Sequence, residues 1–144
     1  AGLGAKVGLS GGAAAVLFDE DQAVLARRAA GREGFLLESS ISRDGAVPFD
    51  EGAFDMAVVD DTRGGFAHRA PELRAAVLAS VYRALRRGGR IEIVEGLGGT
   101  GPLAKATVRP AGYDAVAALE TAGYKPVRVL AEVTNFRFVE GLKV

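Results

Sequence analysis

Two adjacent carboxylates and a lone histidine are the side chains best suited to acid–base chemistry in this chain. Asp60 and Asp61 close the apolar run that starts at Phe54, and His68 stands seven residues beyond Asp61. Paired carboxylates at a strand end can bind a cation or accept a substrate proton, and an imidazole titrates near neutrality. Asp61 and His68 are therefore the candidate catalytic residues. The plainer alternatives are a solvated turn running into Thr62-Arg63-Gly64-Gly65 and a surface histidine ahead of a helix. No Ser-His-Asp or metal-ligand spacing points to another enzyme class. With one histidine and no cysteine, no metal site is expected.

The elements that must hold these groups lie between Val47 and Glu95. Phe54–Asp60 reads as a short strand ending in acid. Pro71–Arg87 reads as an amphipathic helix, with Leu73, Val77, Leu78, Val81 and Leu85 in one stripe. Pro71 suits a first turn, Glu72 favours the positive end of the helix dipole, and Gly88-Gly89 allows a left-handed stop. Arg83, Arg86 and Arg87 crowd the expected last turns. They read either as a phosphate patch or as a helix end complementing its dipole. Arg90–Glu95 is the returning strand. Strand, crossover helix and strand make a parallel pair, which implies a helix-covered α/β sheet.

On either side the pattern continues. Ala13–Phe18 reads as a buried strand and Glu20–Ala30 as a helix capped by Asp19 or Asp21. Phe35–Glu38 is the next strand and Ser39–Gly45 a polar loop. Tyr113–Ala122 is a short helix closed by Gly123. Pro126–Val133 and Phe136–Leu142 are strands joined by Thr134-Asn135, a link short enough only for an antiparallel hairpin. The spacing of Leu3 and Val7 predicts a weak helix at the start, ended by Gly11-Gly12.

The chain has 144 residues, a formal net charge of zero and no cysteine. That length suits one domain, 1–144, with a real core. Zero net charge gives no bulk attraction to nucleic acid or an acidic membrane. No apolar run is long enough to span a bilayer, and the opening stretch lacks a plausible signal-peptide cleavage site. A cytoplasmic setting is the expectation. The twenty glycines do not recur at a fixed period, so no repeat architecture is indicated.

Three phrases carry a family resemblance. Val47-Pro48-Phe49-Asp50-Glu51-Gly52-Ala53-Phe54-Asp55 is a Pro-Phe turn, an acidic-Gly bend and a Phe-Asp strand start. Arg83-Ala84-Leu85-Arg86-Arg87-Gly88-Gly89 leads into a strand that closes on Glu95. Ala117-Ala118-Leu119-Glu120-Thr121-Ala122-Gly123-Tyr124 precedes the hairpin. In this order the sequence resembles the class I S-adenosylmethionine-dependent methyltransferases of the small-molecule type, over roughly residues 47–142. The resemblance implies a Rossmann-like, mostly parallel α/β sheet with a C-terminal antiparallel hairpin. It also implies S-adenosylmethionine as cofactor and a small-molecule acceptor.

It further implies where the cofactor is held. The family's ribose-binding acid ends its second strand, about thirty residues before the Pro-Phe turn, and Asp19 lies twenty-nine residues before Pro48. A carboxylate there can accept from both ribose hydroxyls; a plain helix cap is the other reading of Asp19. Asp44, in competition with Glu38, is the nearest acid for the adenine side, and Asp60 completes the cofactor-side set. The departure lies upstream. The family's first strand and its acid-x-Gly-x-Gly-x-Gly loop should stand about twenty residues before Asp19, and no such phrase is present. Val7-Gly8-Leu9-Ser10-Gly11-Gly12 is too close to Asp19 to leave room for the intervening helix. The fold is thus expected to be N-terminally reduced or truncated. The sheet would be opened at its centre, unless Ala5–Ser10 supply a strand, or a homo-oligomer or partner chain completes it. A non-catalytic, degenerate methyltransferase-like binding or assembly subunit is the alternative function.

Overall fold

The computed structural model describes residues 12–34, 37–98, 109–133 and 135–144, which divide into two compact units at Pro48/Phe49. The expectations for residues 1–11, a weak helix or a rebuilt strand, lie outside the described residues.

The first unit is a strand–helix–strand. β1 (Ala14–Leu17) leads through Phe18-Asp19 into α1 (Glu20–Arg32), and β2 (Glu38–Ile41) pairs parallel to β1 with Ala14 opposite Glu38 and Leu17 opposite Ile41. Asp19 starts the helix: its backbone is extended, and its carboxylate accepts from the Gln22 N–H at 2.9 Å. The Gln22 side chain returns to accept from the Phe18 N–H at 3.2 Å, a reciprocal arrangement close to a capping box. Ala23 and Ala30 are the residues α1 buries.

β2 lies later than its apolar residues predict. Of the expected strand Phe35–Glu38, Phe35 and Leu36 lie outside the described residues; the observed strand begins at Glu38 and runs through Ser39, Ser40 and Ile41. Backbone pairing explains the slip. The ladder with β1 sets the register, and the Ser42 N–H extends it to the Leu17 carbonyl at 2.8 Å. Serine side chains fit a half-buried parallel pair, which an apolar pattern does not report.

The second unit comprises β3 (Phe54–Asp61), α2 (Pro71–Ala84), β4 (Leu85–Gly96), α3 (Ala115–Thr121), β5 (Val127–Val133) and β6 (Phe136–Leu142). Its sheet order is β3-β4-β6-β5, parallel between β3 and β4 and antiparallel elsewhere. The expected crossover and hairpin are both present. Leu78, Leu85, Ile91, Ile93, Leu119, Tyr124 and Val139 form a core with essentially no exposure. Within the described residues β1 and β3 each pair on one side only.

α2 stops at Ala84, three residues short of the sequence expectation. Leu85 is already extended (φ −74°, ψ 141°), and Gly88 takes φ +75° within a register shift between β3 and β4. Tertiary hydrogen bonds override the helical pattern here. The Gly88 N–H donates to the Lys143 carbonyl and the Lys143 N–H to the Gly89 carbonyl, each at 2.8 Å. The Lys143 ammonium reaches the Leu85 carbonyl at 2.7 Å and the Arg83 carbonyl at 3.4 Å, so it supplies the cation at this helix end. Of the three arginines expected there, only Arg83 lies in the last turn; Arg86 instead pairs with Asp55. The stripe also changes. Leu78 is deeply buried, Leu85 is buried from the strand, and Leu73, Val77 and Val81 are half-buried. Among the described residues no helix is long and apolar enough to cross a membrane.

Candidate functional site

β3 ends in Asp61 and β4 carries Glu95 next to its last residue, and the parallel register sets Asp61 directly beside Glu95. Side chains alternate along a strand. Glu95 therefore shares the buried face of β4 with Ile91 and Ile93, and Asp61 shares its face of β3 with Val59 and Ala57. Both carboxylates are buried, at 3% and 2% relative exposure. Asp60 points the other way, is exposed, and closes a local turn by accepting from the Thr62 N–H (3.1 Å) and hydroxyl (2.7 Å).

The loop after β3 wraps over Asp61. One carboxylate oxygen accepts from the Phe66 N–H at 2.8 Å and the Ala67 N–H at 3.1 Å, while the Gly64 N–H bonds the Asp61 carbonyl. Burial raises the Asp61 carboxyl above its ordinary value of 3.8; the two amide bonds and nearby His68 oppose the rise. Glu95 is likewise raised above 4.5 by burial, against the pull of Arg109 and Arg137. Both guanidinium groups address one oxygen, Oε2, with Arg109 at 3.4 Å and Arg137 at 3.7 Å. The other oxygen, Oε1, is buried and has no hydrogen-bond partner among the described residues.

Asp61, Glu95, Gly64, His68, Gly96 and Arg109 line a narrow cleft of about 10 Å³, room for one water-sized group. Gly96 is required here by close approach, since a Cβ would collide with the Thr62 carbonyl oxygen. Tyr113 stands nearby, 9% exposed, edge-on to Phe66 and beneath the Arg74 guanidinium, which is 4.8 Å from the ring centre. Arg74 is itself held by the Ala67 and Arg69 carbonyls at 2.8 and 2.6 Å. Burial, with Asp61 and Glu95 close by, pushes the Tyr113 phenol well up, so it keeps its proton. No described cluster of His, Asp and Glu could hold a metal ion.

The structure thus brings Asp61 and His68 to one cleft, with Asp60 on the far face of the strand. Glu95, Arg109, Tyr113, Arg74 and Arg137 were missed as site residues. One signal was legible for Glu95: two strands joined by a single crossover, each ending in acid.

The remaining candidates belong to the first unit. Asp19 and Asp44 follow the C-terminal ends of the paired strands β1 and β2, and so share one edge of that sheet. Asp19 uses Oδ1 as the helix cap. Asp44 accepts from the Ser42 hydroxyl at 3.2 Å and the Ala46 N–H at 3.0 Å, which hold its carboxyl below the usual range. Glu38 opens β2 and stands at the opposite end of the strand pair.

No family model matches the sequence, and no curated protein matches it. Solved structures do. A SAM-dependent methyltransferase from Aquifex aeolicus superposes with a TM-score of 0.78 at 19% identity, over 99% of this chain and 74% of that one. PigF with SAH gives 0.65 at 18% identity, over 91% of this chain and 43% of PigF. The [4+2]-cyclase SpnF gives 0.57 at 17% identity, over 88% of this chain and 47% of SpnF. The chain therefore spans under half of PigF and SpnF, and about three-quarters of the Aquifex protein. What these likenesses establish is architecture: the chain has the Rossmann-like fold of the class I S-adenosylmethionine-dependent methyltransferases.

Proposed function

We propose that this chain serves S-adenosylmethionine-dependent methyl transfer to a small-molecule acceptor. The observation that carries the reading is the Asp61–Glu95 pair, buried side by side at the C-terminal ends of parallel strands. Open α/β folds bind ligands at that edge. Fold alone does not fix the chemistry, as the SpnF likeness illustrates.

Asp19 and Asp44 of the first unit are the residues proposed for the nucleoside part of the cofactor. Asp19 Oδ2 lies outside the cap bond and can accept from a ribose hydroxyl. Asp44, at the same sheet edge, is the acid proposed for the adenine side, and Asp60 that for the cofactor side of the second unit. When bound, the cofactor supplies an electrophilic methyl group on a sulfonium. The chain's own contribution is positioning and exclusion of water. Asp61 and His68 are the groups proposed to orient the acceptor and hold its proton; the raised carboxyl of Asp61 suits that task.

The alternative reading is a non-catalytic methyltransferase-like binding or assembly subunit. Calorimetric titration with S-adenosylmethionine and S-adenosylhomocysteine separates the two. Saturable heat supports the methyl-transfer reading, whereas neither heat nor thermal shift at millimolar ligand overturns it.

A further inference from the structure

Two buried polar atoms are left without partners, one on Glu95 in the cleft lining and one on Tyr113, which interacts electrostatically with Asp61 and Glu95, and they are chemically complementary. Glu95 Oε1 is an acceptor, and the Tyr113 hydroxyl, which keeps its proton, is a donor. Had they been in contact, each would satisfy the other. Both are instead buried and unpaired among the described residues, a state that is costly if nothing fills it. A third unpartnered atom, Arg137 Nε, is already engaged electrostatically, 3.7 Å from the other oxygen of Glu95.

We propose that Glu95 and Tyr113 form a subsite for one hydroxyl group of the acceptor, which donates to Glu95 Oε1 and accepts from the Tyr113 phenol. A hydroxyl has both capacities at a single atom. An ammonium cannot accept the phenol proton, and a carboxylate cannot donate to Glu95. Local charge agrees. Glu95 is already paired with Arg109 and Arg137, so its free oxygen needs no further cation. The cleft that Glu95 lines has room for one water-sized group, the size of a hydroxyl head. Burial also leaves Glu95 able to take up a proton, which suits a group receiving one from an alcohol or phenol. The inference rests on the cleft's being the acceptor side of a methyl-transfer site, and it assigns that acceptor to the hydroxylated class.

The test is an amide NMR titration of the whole chain with phenol and with anisole, its methyl ether. The native chain is compared with Glu95→Gln and Tyr113→Phe. S-adenosylhomocysteine binding is measured by calorimetry on the same preparations. Phenol is expected to shift the Ala67 and Gly96 amides saturably, and anisole is not. Each substitution is expected to weaken phenol roughly tenfold. Tyr113→Phe removes a hydroxyl with no partner in the described chain, so it keeps the test open if Glu95→Gln fails to fold. Equal responses to phenol and anisole, or unchanged phenol affinity in Tyr113→Phe, would overturn the proposal and leave a structural water as the only occupant. Homocysteine-nucleoside binding without phenol discrimination sinks the hydroxyl subsite alone. Phenol discrimination without nucleoside binding upholds the subsite and sinks the methyl-transfer reading.

Discussion

The Tyr124 hydroxyl donates to the Leu78 carbonyl at 2.9 Å, pinning the turn after α3 to the middle of α2. Tyr124 is 2% exposed and stacks edge-on against Tyr82, their ring centres 5.0 Å apart. Tyr124→Phe keeps the ring and removes only the bond, so it should cost about 1 kcal/mol. Tyr124→Ala also opens a cavity and should cost about 3–5 kcal/mol. Urea unfolding of both variants measures the difference.

Glu140 joins three strands at once. It is 3% exposed, takes Arg128 from β5 at 2.8 Å and lies 3.6 Å from Arg90 of β4. Glu140→Ala leaves two arginines that are more than half exposed and can resolvate. The expected loss is therefore about 2 kcal/mol, below the 3–5 kcal/mol of a fully buried pair. Chemical denaturation, with the Arg128→Ala and Glu140→Ala double variant, gives the coupling.

The buried acids give stability a pH dependence with a definite sign. Asp61 and Glu95 sit above their ordinary 3.8 and 4.5, so the folded chain binds these protons more tightly than the unfolded chain. Their contribution is fully present below the ordinary values and is lost as pH rises through the raised folded values. Glu95→Gln should remove part of that loss. Denaturation midpoints across the acid-to-neutral range should fall less steeply for the variant than for the native chain.

Asp19 caps α1 and is proposed to receive a ribose hydroxyl, two roles that substitutions can separate. Asn caps a helix as well as Asp, so Asp19→Asn should leave thermal stability nearly unchanged, whereas Asp19→Ala should cost about 1 kcal/mol. Both should weaken S-adenosylhomocysteine by roughly tenfold if the carboxylate receives a ribose hydroxyl. Calorimetry beside thermal melts reads the two effects independently.

Gly96→Ala tests the close approach of the two strand ends. The added methyl collides with the Thr62 carbonyl, so the loop over Asp61 must shift. Overpacking of this kind costs about 1–3 kcal/mol. The variant's amide spectrum should change at Gly64, Ala67 and His68 first.

Local patterns made most elements legible. Asp19 and Pro71 mark helix starts by a cap or a fixed φ, and the two-residue link after Val133 permits only a hairpin. Long-range hydrogen bonds were not legible. The stop of α2 depends on Lys143, and the position of β2 depends on its ladder with β1. The cleft divided along the same line. Asp61 and His68 stand close together in sequence and were found. Glu95, Arg109 and Tyr113 meet them only through strand register and burial.

In the second unit β6 lies between β4 and β5, although it is the last of the three to be synthesised. β5 therefore leaves the ribosome with no strand to pair with on β4's side, and β4 waits with its inner edge open. Closure requires Phe136–Leu142 to thread into a gap flanked by strands already made. The β4–β6 ladder bonds, and with them the side-by-side placement of Glu95 and Arg137, form only once Phe136–Leu142 is available to pair. Ribosome-bound chains halted before Phe136 should consequently carry the β3–α2–β4 crossover without a finished cleft.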